Sequence, residues 1–262
     1  MEVKEVKFRA GNRLIEPIFS DSEAYTEKDV ELDLSSAENG YVGIKNDKYP
    51  KVVLQVVGNI TQNHHIRQRE EPYIYPIPES GKYNFRVLKN IEDDKYTEMF
   101  HVEKDITLVD EFQPWLRPNE YVNYEDSSPV VEFAHGVYAF SENDKDFVNK
   151  IGEYITSRIV YDKDKIFTLE NNYISDPNVT YKEEKGICMD YAVLAATMLR
   201  SQGIPTKVVI GHVEIKEKEE YHAWNRIYVD GEWQLYDFTF MAGGYSLESV
   251  RSEFNYHDEQ YY

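Results

Sequence analysis

The sequence of 262 residues predicts an α+β protein: a β-sandwich-like first part, then helices packed on an antiparallel sheet. Three observations predict it. The first ~110 residues carry short runs of β-branched and aromatic residues separated by turn signals. From Asn143 the apolar period becomes helical. After Gly203 and Pro205 three strand-like runs follow, the last two joined by Asp230-Gly231.

In chain order, the early strands are expected at Val30 to Leu34, Tyr41 to Lys45, Val52 to Val57, Tyr73 to Ile77, Tyr83 to Leu88, Tyr96 to Val102 and Ile106 to Val109. Turns are expected at Glu38-Asn39-Gly40, Lys45-Asn46-Asp47, Glu79-Ser80-Gly81 and Glu92-Asp93-Asp94. Short strands at this spacing suggest a sandwich. Pro114, Pro118, Ser127, Ser128 and Pro129 then mark a connecting region. Two domains follow from this reading: residues 1–112, β-sandwich-like and accessory, and residues 113–262, catalytic.

In the second half, Phe147, Val148, Ile151, Tyr154, Ile155 and Ile159 make one helical stripe, with Asp144 as its cap. A second helix runs from Ile187 to Ser201, and Gly203 and Pro205 stop it. Strands are expected at Thr206 to Ile215, Tyr221 to Val229 and Glu232 to Thr239, with Lys216 to Glu220 as a solvated hairpin tip.

Composition narrows the function. The chain has 29 basic and 48 acidic residues, a formal charge of −19, which repels nucleic acid and anionic membrane surfaces. Its single cysteine excludes an internal disulfide. No apolar run approaches the ~20 residues of a membrane span. Met1 to Ala10 is charged and does not read as a signal peptide.

The cysteine lies where a nucleophile would be built. Cys188 opens the second helix, and a helix N-terminus favours the reactive thiolate. Gly186 is read as the sharp turn before it, and the free amides of the helix start can hold an oxyanion, with that of Cys188 the first donor. Alone, Cys188 reads as a small buried hydrophobe. His222 and Asp237 change that reading. If Asp230 and Gly231 are the two turn residues, Val229 pairs with Glu232, His222 faces Thr239 and Asp237 faces Trp224. Asp237 is then the diagonal neighbour of His222, ~7–8 Å away at Cα and closer at the side chains. A carboxylate there fixes the imidazole tautomer and stabilises its cation. Trp224 shares the face of His222 and shields the pair from water, or simply packs. Asp190 supports the helix start or holds a neighbouring loop; as a negative charge it is no partner for a thiolate.

These segments resemble the transglutaminase-like superfamily, a branch of the papain-like cysteine enzymes. The matching stretches are Lys185 to Ala192, Leu199 to Thr206, His222-Ala223-Trp224-Asn225 and Trp233 to Asp237, with Ile159 to Asp162 upstream. The resemblance implies a transglutaminase-like or papain-like core with nucleophile Cys188, base His222 and orienting Asp237. It also implies a second oxyanion donor upstream, for which Tyr161, Tyr173 and Tyr181 are candidates, with Trp224 a further substrate-site candidate. The earlier strands and Tyr96 to Val122 are similar to the front half of bacterial, often exported members. An extracytoplasmic setting, with an export signal or lipoprotein anchor removed, is therefore favoured over the cytoplasm.

The expected activity is cysteine-dependent acyl transfer or hydrolysis on a peptide or protein amide, as a transglutaminase or a peptidase. The alternative is a binding or scaffold module that keeps the fold without the chemistry. The expected partner is a peptide or protein substrate, one associated with the cell wall among the possibilities. No cofactor and no metal are expected: adjacent His64 and His65 point to opposite faces of a strand, and His212 with Glu214 supplies only two ligands. The triplets at Asn59 and Asn178 read as chance matches to a glycosylation pattern.

Overall fold

A computed structural model describes residues 18–169, 173–216 and 218–262; the charged segment Met1 to Ala10 lies outside them. The chain divides into two compact units that meet in sequence between Pro114 and Trp115.

The first unit is one curled antiparallel sheet of six strands: β1 (Tyr25–Glu27), β2 (Val30–Asp33), β3 (Tyr41–Val57), β4 (Thr61–Pro76), β5 (Gly81–Glu92) and β6 (Lys95–Ile106). β3 organises it. Its first half pairs with β2 and its second half with β5, while β4 runs along it from Val57 back to Tyr41. β3 thus changes partners along its length within one sheet, and its register with β4 shifts between Ile44 and Asn46 and again between Asn46 and Lys51. Here the expected turn at Lys45 to Asp47 is a bulge inside a continuous strand. Buried Asn46 holds it, donating from Nδ2 to Tyr49 O (2.7 Å) and accepting from Tyr49 N (2.9 Å). β4 begins far ahead of the expected Tyr73, because its inward positions include Gln62 and His64 as well as Ile66. The ring of His64 stacks on Tyr75 at 3.9 Å, and burial pushes its pKa down to about 3. Ile106 ends β6, so the expected strand to Val109 does not form.

The second unit is α1 (Pro129–Ala139), α2 (Asp144–Arg158), β7 (Val160–Tyr161), α3 (Pro177–Glu183), β8 (Lys185–Gly186), α4 (Cys188–Arg200), β9 (Thr206–Ile215), β10 (Lys218–Val229), β11 (Glu232–Tyr236), α5 (Phe238–Ala242), α6 (Leu247–Glu253) and β12 (Asn255–Tyr261). Its sheet has the order β11-β10-β9-β12, all antiparallel, and β7 and β8 form a short parallel pair. α4 is the central element: every residue from Met189 to Arg200 is buried. Ala192, Ala195 and Ala196 keep it slim, so β9, β10 and helices α1, α2, α3 and α5 all reach it. α2 meets it with Phe147, Val148, Ile151 and Ile155, side chains whose full burial is worth roughly 1.5–3 kcal/mol each. The cap of α2 is Asn143, accepting from Asp146 N, and not Asp144, which is already helical. Arg200 closes α4 with its guanidinium wholly buried, donating to backbone carbonyls of Thr206, Arg117 and Tyr262 at 2.7, 2.9 and 2.5 Å.

The last hairpin turns at Asp230 and Gly231 with φ of 57° and 86°, the doubly positive pattern of a type I′ turn, and Val229 pairs with Glu232. The pairing stops at Asn225 with Tyr236. Asp237 and Thr239 are therefore not strand residues facing Trp224 and His222: Asp237 caps α5 and Thr239 lies in it. The hairpin tip before β10 is also tighter than Lys216 to Glu220, since Lys218 already pairs with Ile215.

Candidate active site

Cys188 is the first residue of α4, and the first backbone bond of the helix start is Tyr191 N to Ile187 O at 3.1 Å. The amides of Cys188, Met189 and Asp190 precede it and point outward at the positive end of the helix dipole. Ile187 has no side-chain acceptor to cap them. Asp190 instead reaches back and accepts from Ile187 N at 2.8 Å.

Asp190 does more than cap. It has no exposed surface and takes four donors. Oδ1 accepts from Tyr173 OH (2.5 Å) and Ser175 Oγ (2.6 Å), and Oδ2 from Lys165 Nζ (2.7 Å) and Ile187 N (2.8 Å). The segment after β7 is thereby latched to the helix start that carries the thiol. Gly186 is explained by the same carboxylate: a Cβ there would lie 2.5 Å from Asp190 Cβ. Close approach requires the glycine, and its backbone shows no left-handed turn.

His222, on β10, is buried, and its Nε2–H donates to Asp237 Oδ2 at 2.8 Å. Cys188 lies close enough to act on the imidazole as well. Burial pushes the imidazole pKa down, but the charge and hydrogen bond of Asp237, then those of Cys188, outweigh it and raise the value to about 10. Asp237 and Cys188 together therefore favour the protonated imidazole. Asp237 has no exposed surface; its Oδ1 accepts from Thr239 N and Phe240 N, both at 3.0 Å. One residue thus serves as helix cap and imidazole partner at once.

Two rings enclose the imidazole. Trp224 stacks at 6.3 Å between centroids and Phe240 at 4.8 Å. Trp224 is 1% exposed, so it walls the pair from water and offers no surface to a substrate. Behind it, Tyr256 of β12 donates its hydroxyl to Asp237 Oδ2 at 2.9 Å. Phe240 and Tyr256 were not anticipated from sequence. Phe240 sits in a five-residue helix and Tyr256 on a polar edge strand, and neither carries a periodic signal.

The three candidate tyrosines have different fates. Tyr161, on β7, pairs with Gly186 of β8, two residues before Cys188. Burial, followed by its electrostatic interaction with Cys188, pushes its phenol up to about 12. Its hydroxyl makes no hydrogen bond among the described residues. Tyr173 is committed to Asp190 and accepts from Lys165 Nζ at 2.7 Å. Tyr181, on α3, packs its ring against Phe133 and Tyr154 at 5.5 and 6.1 Å, inside a helix-packing cluster. The Asn178 triplet lies in the same helix. No group of three or more metal-binding side chains occurs among the described residues. None of the described helices is long and apolar enough to cross a membrane.

Comparison with known proteins gives the following. The sequence model of the Transglutaminase-like superfamily matches residues 131–238. UPF0252 protein PH1321 of Pyrococcus horikoshii is 32% identical over 82 residues, covering 31% of this chain; the match spans about a quarter (24%) of that relative's length. Among solved structures, a candidate cysteine protease of Cytophaga hutchinsonii aligns at 15% identity over 85% of this chain and 68% of its own, with a TM-score of 0.43. The periplasmic domain of TgpA from Pseudomonas aeruginosa aligns at 13% identity over 90% and 78%, with a TM-score of 0.42.

Proposed function

We propose that the unit containing residues 131–238, which the Transglutaminase-like superfamily model matches, is a cysteine-dependent enzyme acting on a peptide or protein amide. The observation that carries this reading is the placement of His222, bonded through Nε2 to buried Asp237 and coupled to Cys188, the first residue of α4. An imidazolium beside a sulfur at a helix N-terminus is the arrangement in which a thiolate is used as a nucleophile.

The chemistry follows from these positions. The thiolate of Cys188 attacks the amide carbonyl carbon, and the oxyanion is met by the Cys188 N–H. Tyr161, whose partner Gly186 lies two residues before Cys188, is the proposed second donor. His222 gives its proton to the leaving amine as the carbon–nitrogen bond breaks, leaving a thioester on Cys188. Water or an amine then attacks the thioester, His222 takes the proton of the attacking group, and the thiolate departs. Water gives hydrolysis; an amine gives a new amide.

Iodoacetamide labelling at mildly acidic to neutral pH tests the reading. Cys188 is expected to label faster than a free thiol, and His222→Ala to abolish the advantage. Labelling at the free-thiol rate, unaffected by His222→Ala, would refute the enzyme and leave a binding module. Incubation with a glutamine-containing protein and a labelled amine separates the two outcomes: incorporation without peptide release marks a transferase, peptide release a peptidase.

A further inference from the structure

The two oxygens of Asp237 have different duties. Oδ1 accepts from Thr239 N and Phe240 N, which already fixes the orientation of the carboxylate. Oδ2 takes two further donors, His222 Nε2 at 2.8 Å and Tyr256 OH at 2.9 Å. The second donor is therefore not needed to aim the group. We propose that Tyr256 is a positioning residue of this site, whose hydroxyl competes with His222 for Asp237 Oδ2 and so keeps the imidazole proton transferable.

Donors that share one acceptor oxygen weaken each other, because each draws on the same electron density. Asp237 has no exposed surface, so no bulk solvent moderates it. A lone carboxylate there would grip the imidazolium, and a group that cannot release its proton is no acid for a leaving amine. Tyr256 supplies the moderation that water supplies elsewhere. Burial first, and then the charge of Asp237, hold its phenol well above the usual range, so it remains a donor throughout the working range of pH. Its ring is also tied to the walls of the imidazole, lying edge-on to Trp224 at 4.9 Å and 6.5 Å from Phe240. It comes from outside the elements that carry His222 and Asp237: Tyr256 lies on β12, which pairs through Val213 with β9, the neighbour of β10. The assignment rests on the reading of Cys188 and His222 as nucleophile and base.

Three forms of the full chain test it: the native protein, Tyr256→Phe, and 3-fluorotyrosine placed at position 256. The fluorinated phenol is a stronger donor on the same ring. The His222 titration is read by nitrogen NMR of labelled imidazole, beside the pH profile of Cys188 alkylation. Tyr256→Phe should shift the His222 titration upward by on the order of one pH unit, and fluorotyrosine should shift it downward, with the alkylation profile following. A folded Tyr256→Phe that titrates with the native protein, or shifts downward, overturns the proposal. If that variant does not fold, an unshifted titration in the fluorotyrosine form overturns it alone. The imidazole titration is read whether or not alkylation depends on His222, so failure here is distinct from failure of the enzyme reading.

Discussion

Removing the carboxylate of Asp190 is expected to destabilise the unit of residues 115–262 by about 4–5 kcal/mol as alanine and by only about 2 kcal/mol as asparagine. The difference comes from which donors can find a substitute. In Asp190→Ala, Lys165 turns to water, since a quarter (24%) of its side chain is already exposed. Half-buried Tyr173 can follow. Ile187 N and Ser175 Oγ cannot, because both residues are buried at 6% and 3% exposure. Two stranded donors at about 1–3 kcal/mol each, with the lost charge-assisted bonds, give the larger figure. In Asp190→Asn the amide nitrogen takes the place of Oδ1, where the hydroxyls of Tyr173 and Ser175 can rotate to accept from it. The amide oxygen then keeps Lys165 and Ile187 N, and mainly the charge is lost. Urea unfolding followed by tryptophan fluorescence measures this, because Trp115, Trp224 and Trp233 are the only tryptophans and all lie in this unit. An alanine variant within about 1 kcal/mol of the native protein, or an asparagine variant as unstable as alanine, refutes the latch.

Gly211→Ala should detach the C-terminal strand, since a Cβ there would lie 2.0 Å from the backbone oxygen of His257. A loss of about 1–3 kcal/mol and slower Cys188 labelling are expected; unchanged labelling would show that β12 does not support the site. His64 makes the first unit acid-sensitive. Its pKa falls from 6.5 to about 3 on folding, so the unfolded state binds more protons between those values. The stability it contributes is complete above pH 6.5 and is lost as pH falls toward about 3, at about 1.4 kcal/mol per unit. Amide exchange in β3 and β4 across that window measures it, and a flat profile would contradict it.

Much of the second unit was legible because its signals are strong and local. α4 has a continuous apolar stretch with a defined stop, and the Asp230-Gly231 turn dictates pairs down to Asn225 with Tyr236. That turn's influence ends there: strand alternation continued past Tyr236 places Asp237 on the sheet, but its side chain caps a helix, and the imidazole contact arises from the cap. α1 and α3 were missed because their valines, Gly136 and short lengths blur the helical period. Ser128-Pro129 and Asp176-Pro177 were the available clues, each a cap-type residue before proline at the first helical position. β12 alternates only weakly between wet and dry sides, so Tyr256 had nothing to distinguish it from the chain's many other tyrosines. In the first unit, β4 was read too short because a histidine and a glutamine occupy inward positions that a hydrophobic pattern expects to be apolar.

The order in which these parts occur along the chain has a consequence for a newly made molecule. Chains emerge from the ribosome N-terminal end first. Lys165, Tyr173 and Ser175 precede Asp190, so the latch at the thiol end of α4 can close as soon as that helix is made. His222, Asp237 and Tyr256 lie 34, 49 and 68 residues beyond Cys188 in the sequence. The sulfur is therefore housed before it is armed, and the strand that brings Tyr256 is added last. The proposed nucleophile therefore stays quiet while the chain is still exposed to its neighbours.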